Sequence, residues 1–340
     1  MPFSDVAEIP VDAGRARVYE HGWQSWSPSG TYPVSATTPR PPHDNRRRMS
    51  YRAETPAPLT GFQGEGLLAV DTGGRVHVFA ASDGLEQVPS IRGSLVDGRL
   101  RVSADGPVVQ ATSDRGLDAA LATWADGFAA RAGTGAFRPA PTAWCSWYHY
   151  YTAVTEHDVL ENLDAIGSAE LPVDVVQLDD GWESEIGDWL TLSTRFSTLD
   201  GVVGRIRAAG RRAGIWVAPF LVGARSEVFR NHPDWLIGGP DGQPVSAGHN
   251  WGQDVYGLDV THPGSQDYLR RTFGWLASLG IDYFKIDFTY AGALAGSRHS
   301  GVPALRAYRD AVTLIRGVIG PDAYLLGCGA PILPSVGLFD

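Results

Sequence analysis

From Thr142 onward the chain alternates short apolar runs with helical patterns, and no other feature narrows its fold so far. The runs are TAWCSW, VDVVQL, GIWVAPF, IDYFKIDF and AYLLGC, and each of the first four is followed by a helical stretch. The spacing predicts helices from Glu156 to Ile166, with Thr155 and Asp158 as a capping-box variant, and from Leu199 to Ala213, ending at Gly214. It predicts two more, one beginning near Pro263 and one over Pro303 to Ile319. Repeated βα units with apolar strands give a parallel sheet covered by helices, either a (β/α)8 barrel or a doubly wound sheet. Polar residues gather where the strands end, in QLDDGW, KIDF and CGAP, which is where barrels carry their sites. No glycine-rich phosphate loop follows the first strand, against a dinucleotide-binding sheet. The expectation is an α/β chain with a (β/α)8 (TIM) barrel. About 200 residues follow Thr142, against the ~250 of a closed barrel, so the barrel is expected to be C-terminally incomplete.

Before that region the rhythm is different. RARVYEH, GLLAVDT, VHVFAAS and RLRVSA alternate with period two and are separated by Gly, Asp and Pro, which reads as an antiparallel β-sandwich. SATTPRPPHDNRRR reads as a loop, residues 116–131 as a helix, and GTGAFRPAP as a linker. The expected division is therefore a sandwich domain over 1–135 and a barrel domain over 136–340.

A net charge of −10 argues against a nucleic-acid partner, and the one basic run, Arg46 to Arg48, reads as solvated loop. No apolar run approaches the ~20 residues of a membrane span. The N-terminus MPFSDVAEIPVDAG shows neither a basic nor an apolar signal region, and Cys145 and Cys328 offer no disulfide framework, so a cytoplasmic chain is expected. Eleven tryptophans fit either core packing or flat faces for sugar rings.

The chemistry sits at the strand ends. In YFKIDF, alternation places Tyr283, Lys285 and Asp287 on one face and Phe284, Ile286 and Phe288 on the other. In a barrel the first set faces the lumen, with Lys285 beside Asp287 to keep it ionised. An ionised carboxylate there can attack a sugar carbon, while the bland alternative is a structural ion pair. In LDDGWES, Asp179 and Asp180 can accept hydrogen bonds from vicinal hydroxyls with Trp182 near the ring; a turn or helix cap and a metal site are the alternatives. Asp188 and Trp189 in GDW either line the same pocket or fold their loop. Trp216, like Trp144 and Trp147, is a stacking face or core. A thiol nucleophile at Cys328 lacks a histidine partner, so Cys328 and Gly329 read as pocket wall.

Assembled, these segments resemble the α-galactosidase (melibiase) superfamily of retaining glycoside hydrolases, in the branch with an N-terminal β-sandwich. The resemblance is carried by WCSWYHYY, LDDGWE, GDW, GIWVAPF, GLDVTHPGSQDYL, YFKIDF and CGAP, with HGWQSWSPSG (His21 to Gly30) in the first region. It implies an exo-glycosidase that hydrolyses terminal α-galactosides through a covalent intermediate on Asp287. Lys285 would bind sugar hydroxyls, Asp179 and Asp180 the hydroxyls at the non-reducing end, Trp216 would be an aromatic pocket residue, and Cys328 and Gly329 the opposite wall. The substrate is then a small oligosaccharide or glycoside, with no metal and no organic cofactor. The family's acid/base aspartate lies on the next strand, beyond Asp340, and none is assigned here. CGAPILPSVGLFD stands where the family commonly has CSGGGRxD, and His249 and Asn250 where many members have arginine, which leaves the sugar open. Related enzymes tend to oligomerise, so Trp23 or Trp26 serves a neighbouring subunit's pocket or the sandwich core. Rival readings are a carbohydrate-binding protein without hydrolytic activity, a transglycosylase, and a metal-dependent barrel hydrolase using Asp179, Asp180 and Asp287.

Overall fold

The computed structural model describes residues 2–40, 49–52, 54–135 and 138–340. The basic run Arg46 to Arg48 lies outside the described residues. The chain divides into two compact units, one reaching to Gly135 and including Pro331–Gly337, the other comprising the residues from there to Ala330 with Leu338–Asp340.

In the first unit the strands are β1 (Ser4–Pro10), β2 (Arg17–Glu20), β3 (Gly30–Pro33), β4 (Phe62–Glu65), β5 (Leu67–Asp71), β6 (Val76–Ala81), β7 (Ser90–Val96), β8 (Arg99–Ala104) and β9 (Val108–Ser113). They form two antiparallel sheets, ordered β1-β8-β7-β4 and β3-β2-β5-β6-β9. Period two explains how they stack. Leu68 and Val70 of β5 join Val18, Phe79, Phe62, Ile91, Leu100 and Val102 in one core drawn from both sheets. The intervening Leu67 and Ala69 point the other way, against Ala120, Leu121 and Trp124 of helix α1 (Leu117–Ala132). The five-stranded sheet is thus apolar on both faces, with α1 closing the outer one.

The second unit is built on one parallel sheet of five strands: β10 (Ala143–Cys145), β11 (Val175–Leu178), β12 (Arg212–Val217), then β16 (Ile281–Ile286) and β17 (Tyr324–Gly327) after an intervening hairpin layer. Each of the five is one of the expected apolar runs. They follow one another in chain order across the sheet, with β10 and β17 outermost. Closure into a barrel is not formed among the described residues, so the fold seen is a five-stranded α/β sheet. Helices α2 (Glu156–Ser168), α3 (Leu199–Ala208), α4 (Pro263–Ser278) and α5 (Ala304–Ile319) follow the first four strands in turn. The Thr155 hydroxyl accepts from Asp158 N at 3.2 Å while the Asp158 carboxylate accepts from Thr155 N at 2.8 Å, the reciprocal cap read from the sequence.

Two expectations are corrected, and a third feature has no counterpart in the sequence reading. Helix α3 stops at Ala208, five residues early, and Gly210 at φ 73° takes the left-handed turn assigned to Gly214. Gly214 instead lies inside β12, where a Cβ would sit 2.9 Å from the Tyr283 ring and 3.0 Å from Val175, so the tight sheet face requires glycine there. Residues 221–257 hold a small antiparallel sheet, β13 (Leu221–Gly223), β14 (Ser246–Asn250) and β15 (Gln253–Gly257), in the order β13-β15-β14. Its strands are too short and glycine-rich for a period to show. Second, Phe288 leaves the face of Phe284 and Ile286. The strand ends at Ile286 and Phe288 adopts φ 51°, which turns its ring to within 5.1 Å of the Trp251 ring. Phe284 does pack outward as expected, against Phe273 of α4. Among the described residues no helix is long and apolar enough to cross a membrane.

Candidate functional site

The register of the parallel sheet brings the chemistry together. Trp216 on β12 lies opposite Lys285 on β16, and Gln177 on β11 lies opposite Gly214 and beside Cys145 on β10. These side chains share one face, while the C-terminal ends of β11 and β16 run directly into Asp179, Asp180 and Asp287. Parallel strands therefore deliver four separate stretches of sequence to a single rim.

Asp179 is the most heavily bonded of the group. Its Oδ2 accepts from Lys285 Nζ at 2.9 Å, from Gln177 Nε2 at 2.5 Å and from the Cys145 thiol at 3.3 Å, and its backbone N–H donates to Ser146 Oγ at 2.9 Å. Burial pulls the Lys285 ammonium toward neutrality, but the Asp179 charge outweighs it and holds the lysine well above its ordinary pKa. Burial, with Asp179 adding to it, pushes the Cys145 thiol up to about 12, so it is an inert donor rather than a nucleophile.

Asp180 points differently. Its Oδ2 accepts from Trp251 Nε1 at 2.7 Å, and its carboxyl is hydrogen-bonded to Glu183. Between them Gly181 sits at φ 119°, where a Cβ would come 2.7 Å from Thr152 O. That conformation is open only to glycine, which explains why Asp-Asp is followed by Gly here. Neither Trp251 nor Glu183 was singled out from the sequence. Trp251 occupies the tip of the β14–β15 hairpin at φ 52°, and a tryptophan–glycine pair flanked by polar residues was its only signal.

Asp287, 7 % exposed, follows β16 directly. Its Oδ2 accepts from Trp216 Nε1 at 3.0 Å and its Oδ1 from Phe288 N at 2.7 Å. Burial raises its pKa, opposed by the Lys285 charge, by both of those donors and by a hydrogen bond from Cys328, and burial prevails. The Lys285 charge does favour the Asp287 anion, in the expected direction, but burial outweighs it, and the ammonium's own ion pair is with Asp179.

Of the expected site residues, Asp179, Asp180, Trp216, Lys285, Asp287, Cys328 and Gly329 form one neighbourhood. Cys328 O accepts from Thr289 N and Gly329 O from Tyr290 N, which ties the β17 end to the turn after Asp287. Trp182 is the exception. It is 0 % exposed, and its Nε1 donates to Trp216 O at 2.9 Å, so its ring braces Trp216 from beneath instead of offering a face. Trp189 packs on Trp182 and edge-on to Trp216, with centroids 6.2 Å and 5.9 Å away. Asp188 accepts from Glu227 N and Val228 N, capping a short helix and folding its own loop. His249 pairs with Asp254, and Asn250 Oδ1 accepts from Trp251 N, which shapes the hairpin tip. Asp340 is bonded to Arg316, Arg138 and Leu325 N, an anchored anion held below its ordinary pKa. Among the described residues no group of three or more His, Cys, Asp or Glu side chains is disposed to hold a metal ion.

The resulting arrangement is a cluster of carboxyls, one ammonium and indoles packed edge-on or tilted, with carboxylate oxygens able to accept hydroxyl hydrogens. Comparison with known proteins points the same way. The α-galactosidase AgaA of Geobacillus stearothermophilus is 35% identical over 191 residues, covering 53% of this chain and 25% of that protein. The α-galactosidase of Escherichia coli is 34% identical over 158 residues, covering 43% of this chain and 20% of that one. The chain thus matches a quarter or less of the length of these curated relatives. TtGalA, an α-galactosidase from Thermus thermophilus solved in complex with stachyose, superposes with a TM-score of 0.80 at 31% identity, covering 99% of this chain and 71% of its own. The family model described as Melibiase matches residues 104–314, more than half of the chain, and the chain belongs to that family.

Proposed function

We propose that this chain carries the nucleophile and sugar-holding half of a retaining α-galactosidase that acts on terminal α-galactosides. The observation that carries the reading is the joining of Asp287, Lys285, Asp179 and Asp180 at one end of the parallel sheet, in a protein whose relatives are named α-galactosidases. The sequential order of the five parallel strands is that of a (β/α)8 barrel and not of a sheet that reverses direction at a switch point, which supports the barrel.

On this reading Asp287 attacks the anomeric carbon. Trp216 Nε1–H and Phe288 N–H hold its two oxygens apart and fixed, so little reorganisation is needed at the moment of attack. Both donors and Lys285 favour the anion that the reaction requires, against the pull of burial. Asp179 and Asp180 accept hydrogen bonds from sugar hydroxyls, and Lys285 donates to a hydroxyl oxygen while neutralising Asp179. Trp251 flanks the ring, while Trp216, itself buried, serves through its indole N–H to Asp287 and offers no open face. Retention needs a second carboxyl roughly 5–5.5 Å from the nucleophile to protonate the leaving oxygen and later activate water. That role is assigned to no residue of this chain. Asp340 in particular is engaged by two arginines.

An activated 2-deoxy-2-fluoro galactoside, whose leaving group needs no protonation, tests the reading. Intact mass of the treated protein should rise by one fluorogalactosyl group, and peptide mapping should place it on Asp287. An unmodified Asp287, or a label elsewhere, would overturn it. The stachyose and p-nitrophenyl galactoside seen in complexes of the Thermus thermophilus enzyme are the natural first substrates to assay.

A further inference from the structure

Glu183 is a buried carboxyl that the proposed chemistry does not use. Its side chain is 6 % exposed, and the chain around it is fixed by the Glu183–Leu192 bridge. The Gly181 N–H donates to its Oε2 at 3.2 Å, its own backbone N–H also donates to the carboxyl, and the carboxyl hydrogen-bonds Asp180. Two carboxyl groups in hydrogen-bond contact, shielded from water, cannot both be anionic: the contact requires a proton between them. The other charged groups nearby sharpen this. Asp179 and Asp287 both raise Asp180 by their negative charge, Lys285 is spent on Asp179, and Arg195 donates to Gly181 O and Val154 O. Among the described residues no cation is bonded to the pair.

We propose that Glu183 is a positioning residue that shares one proton with Asp180 and so holds Asp180 as a fixed acceptor for substrate hydroxyls. The inference rests on the galactoside reading above. Asp180 receives one hydrogen bond from the Trp251 indole and one from Glu183, and a carboxylate has further lone pairs left to accept from a ligand. Removing the proton at alkaline pH sets two buried anions against each other and turns Asp180 away. A glutamine at 183 preserves the geometry without the titration, because its amide offers an acceptor to Gly181 N–H and a donor to Asp180. Burial and the Asp180 charge both raise Glu183 well above the ordinary glutamate range, the direction a shared proton requires.

Two measurements on the chain, with methyl α-galactoside as a neutral probe, test this. Infrared difference spectra between wild type and Glu183→Gln at neutral pH should show a protonated-carboxyl carbonyl band that the variant lacks. Calorimetric affinity of the wild type for methyl α-galactoside should fall as pH is raised above neutrality, while Glu183→Gln binds at neutral pH and keeps its affinity throughout. Glu183→Ala should bind roughly tenfold more weakly than wild type does at neutral pH, the worth of one hydrogen bond to a charged group, without the wild type's alkaline fall. Absence of the carboxyl band, or an alkaline fall that persists in Glu183→Gln, overturns the proposal. A band that is present while the wild type fails to bind methyl α-galactoside at any pH overturns the galactoside reading and the positioning role, and leaves the shared proton standing.

Discussion

Lys285 Nζ lies 2.9 Å from Asp179 Oδ2, so the ammonium two positions before Asp287 is ion-paired to a carboxylate 106 residues away in sequence. Both partners are largely removed from solvent, with side chains 13% and 2% exposed. A pair in that setting is worth little more than two apolar residues of the same size, but breaking it strands a charge.

Lys285→Met should therefore cost about 3 kcal/mol or more of folding stability, because it leaves Asp179 buried and unpaired. Adding Asp179→Asn should return much of that loss while leaving sugar binding abolished. Urea denaturation of the two single variants and the double variant gives the coupling directly. A double variant as unstable as the sum of its parts would contradict the pairing.

Asp287→Ala should abolish galactoside turnover in the enzyme, by on the order of 10⁴-fold or more, with the fold intact. Added azide or formate should restore part of the rate, and the product should have inverted anomeric configuration by NMR. Ordinary turnover in this variant would sink the nucleophile assignment.

The two indoles that donate within the site should behave differently on replacement by phenylalanine. Trp216→Phe removes a donor to the Asp287 carboxylate and should lower kcat/KM by roughly tenfold or more, given ~1.5–3 kcal/mol for a hydrogen bond to a charged group. Trp182→Phe leaves Trp216 O unpaired in the interior. It should lower the melting temperature, at a cost of about 1–3 kcal/mol, without changing the affinity of folded protein for galactose. Equal effects of the two on affinity would refute the distinction between wall and brace.

The pH dependence of stability follows from Asp287. Its folded pKa is raised, so between the ordinary aspartate value of ~3.9 and the folded value the native state binds a proton that the unfolded chain has released. Stability contributed by this group is therefore full at the acid side of that window and falls as pH rises through it. Asp287→Asn should flatten that part of the profile, measured by chemical denaturation across the acidic to neutral range. A wild-type curve no steeper than the variant's would show that burial does not prevail at Asp287.

Gly181→Ala should destabilise by about 1–3 kcal/mol, since the substitution needs both a backbone region closed to alanine and room already taken by Thr152 O. Thermal denaturation reads this, and a neutral outcome would mean the turn relaxes.

The sequence and the structure agree where a period is long enough to be heard. Five apolar runs and four helices were legible because strands buried on both faces read as continuous hydrophobic stretches, and the Thr155–Asp158 cap is a local pattern. The end of α3 was misplaced because two glycines compete within five residues, and the ladder with β11 and β16 decides between them. The face of Phe288 was misjudged because alternation fails as soon as the strand ends. In the site, residue types were readable but partners were not. Nothing local says that Lys285 bonds Asp179, that Trp251 reaches Asp180 from a hairpin 71 residues on, or that Trp182 supports another indole. Those pairings are set by which strands lie side by side.

The succession of indoles around the carboxyls has an optical consequence. Trp275, Trp182, Trp189, Trp216 and Trp251 stand in a chain with successive ring centroids 5.9–6.4 Å apart. At such separations the indole transitions couple, so a change beside Trp216 or Trp251 is felt along the row. The chain carries its own fluorophore for ligand arrival, and near-ultraviolet circular dichroism should register a sugar in the site without any attached label.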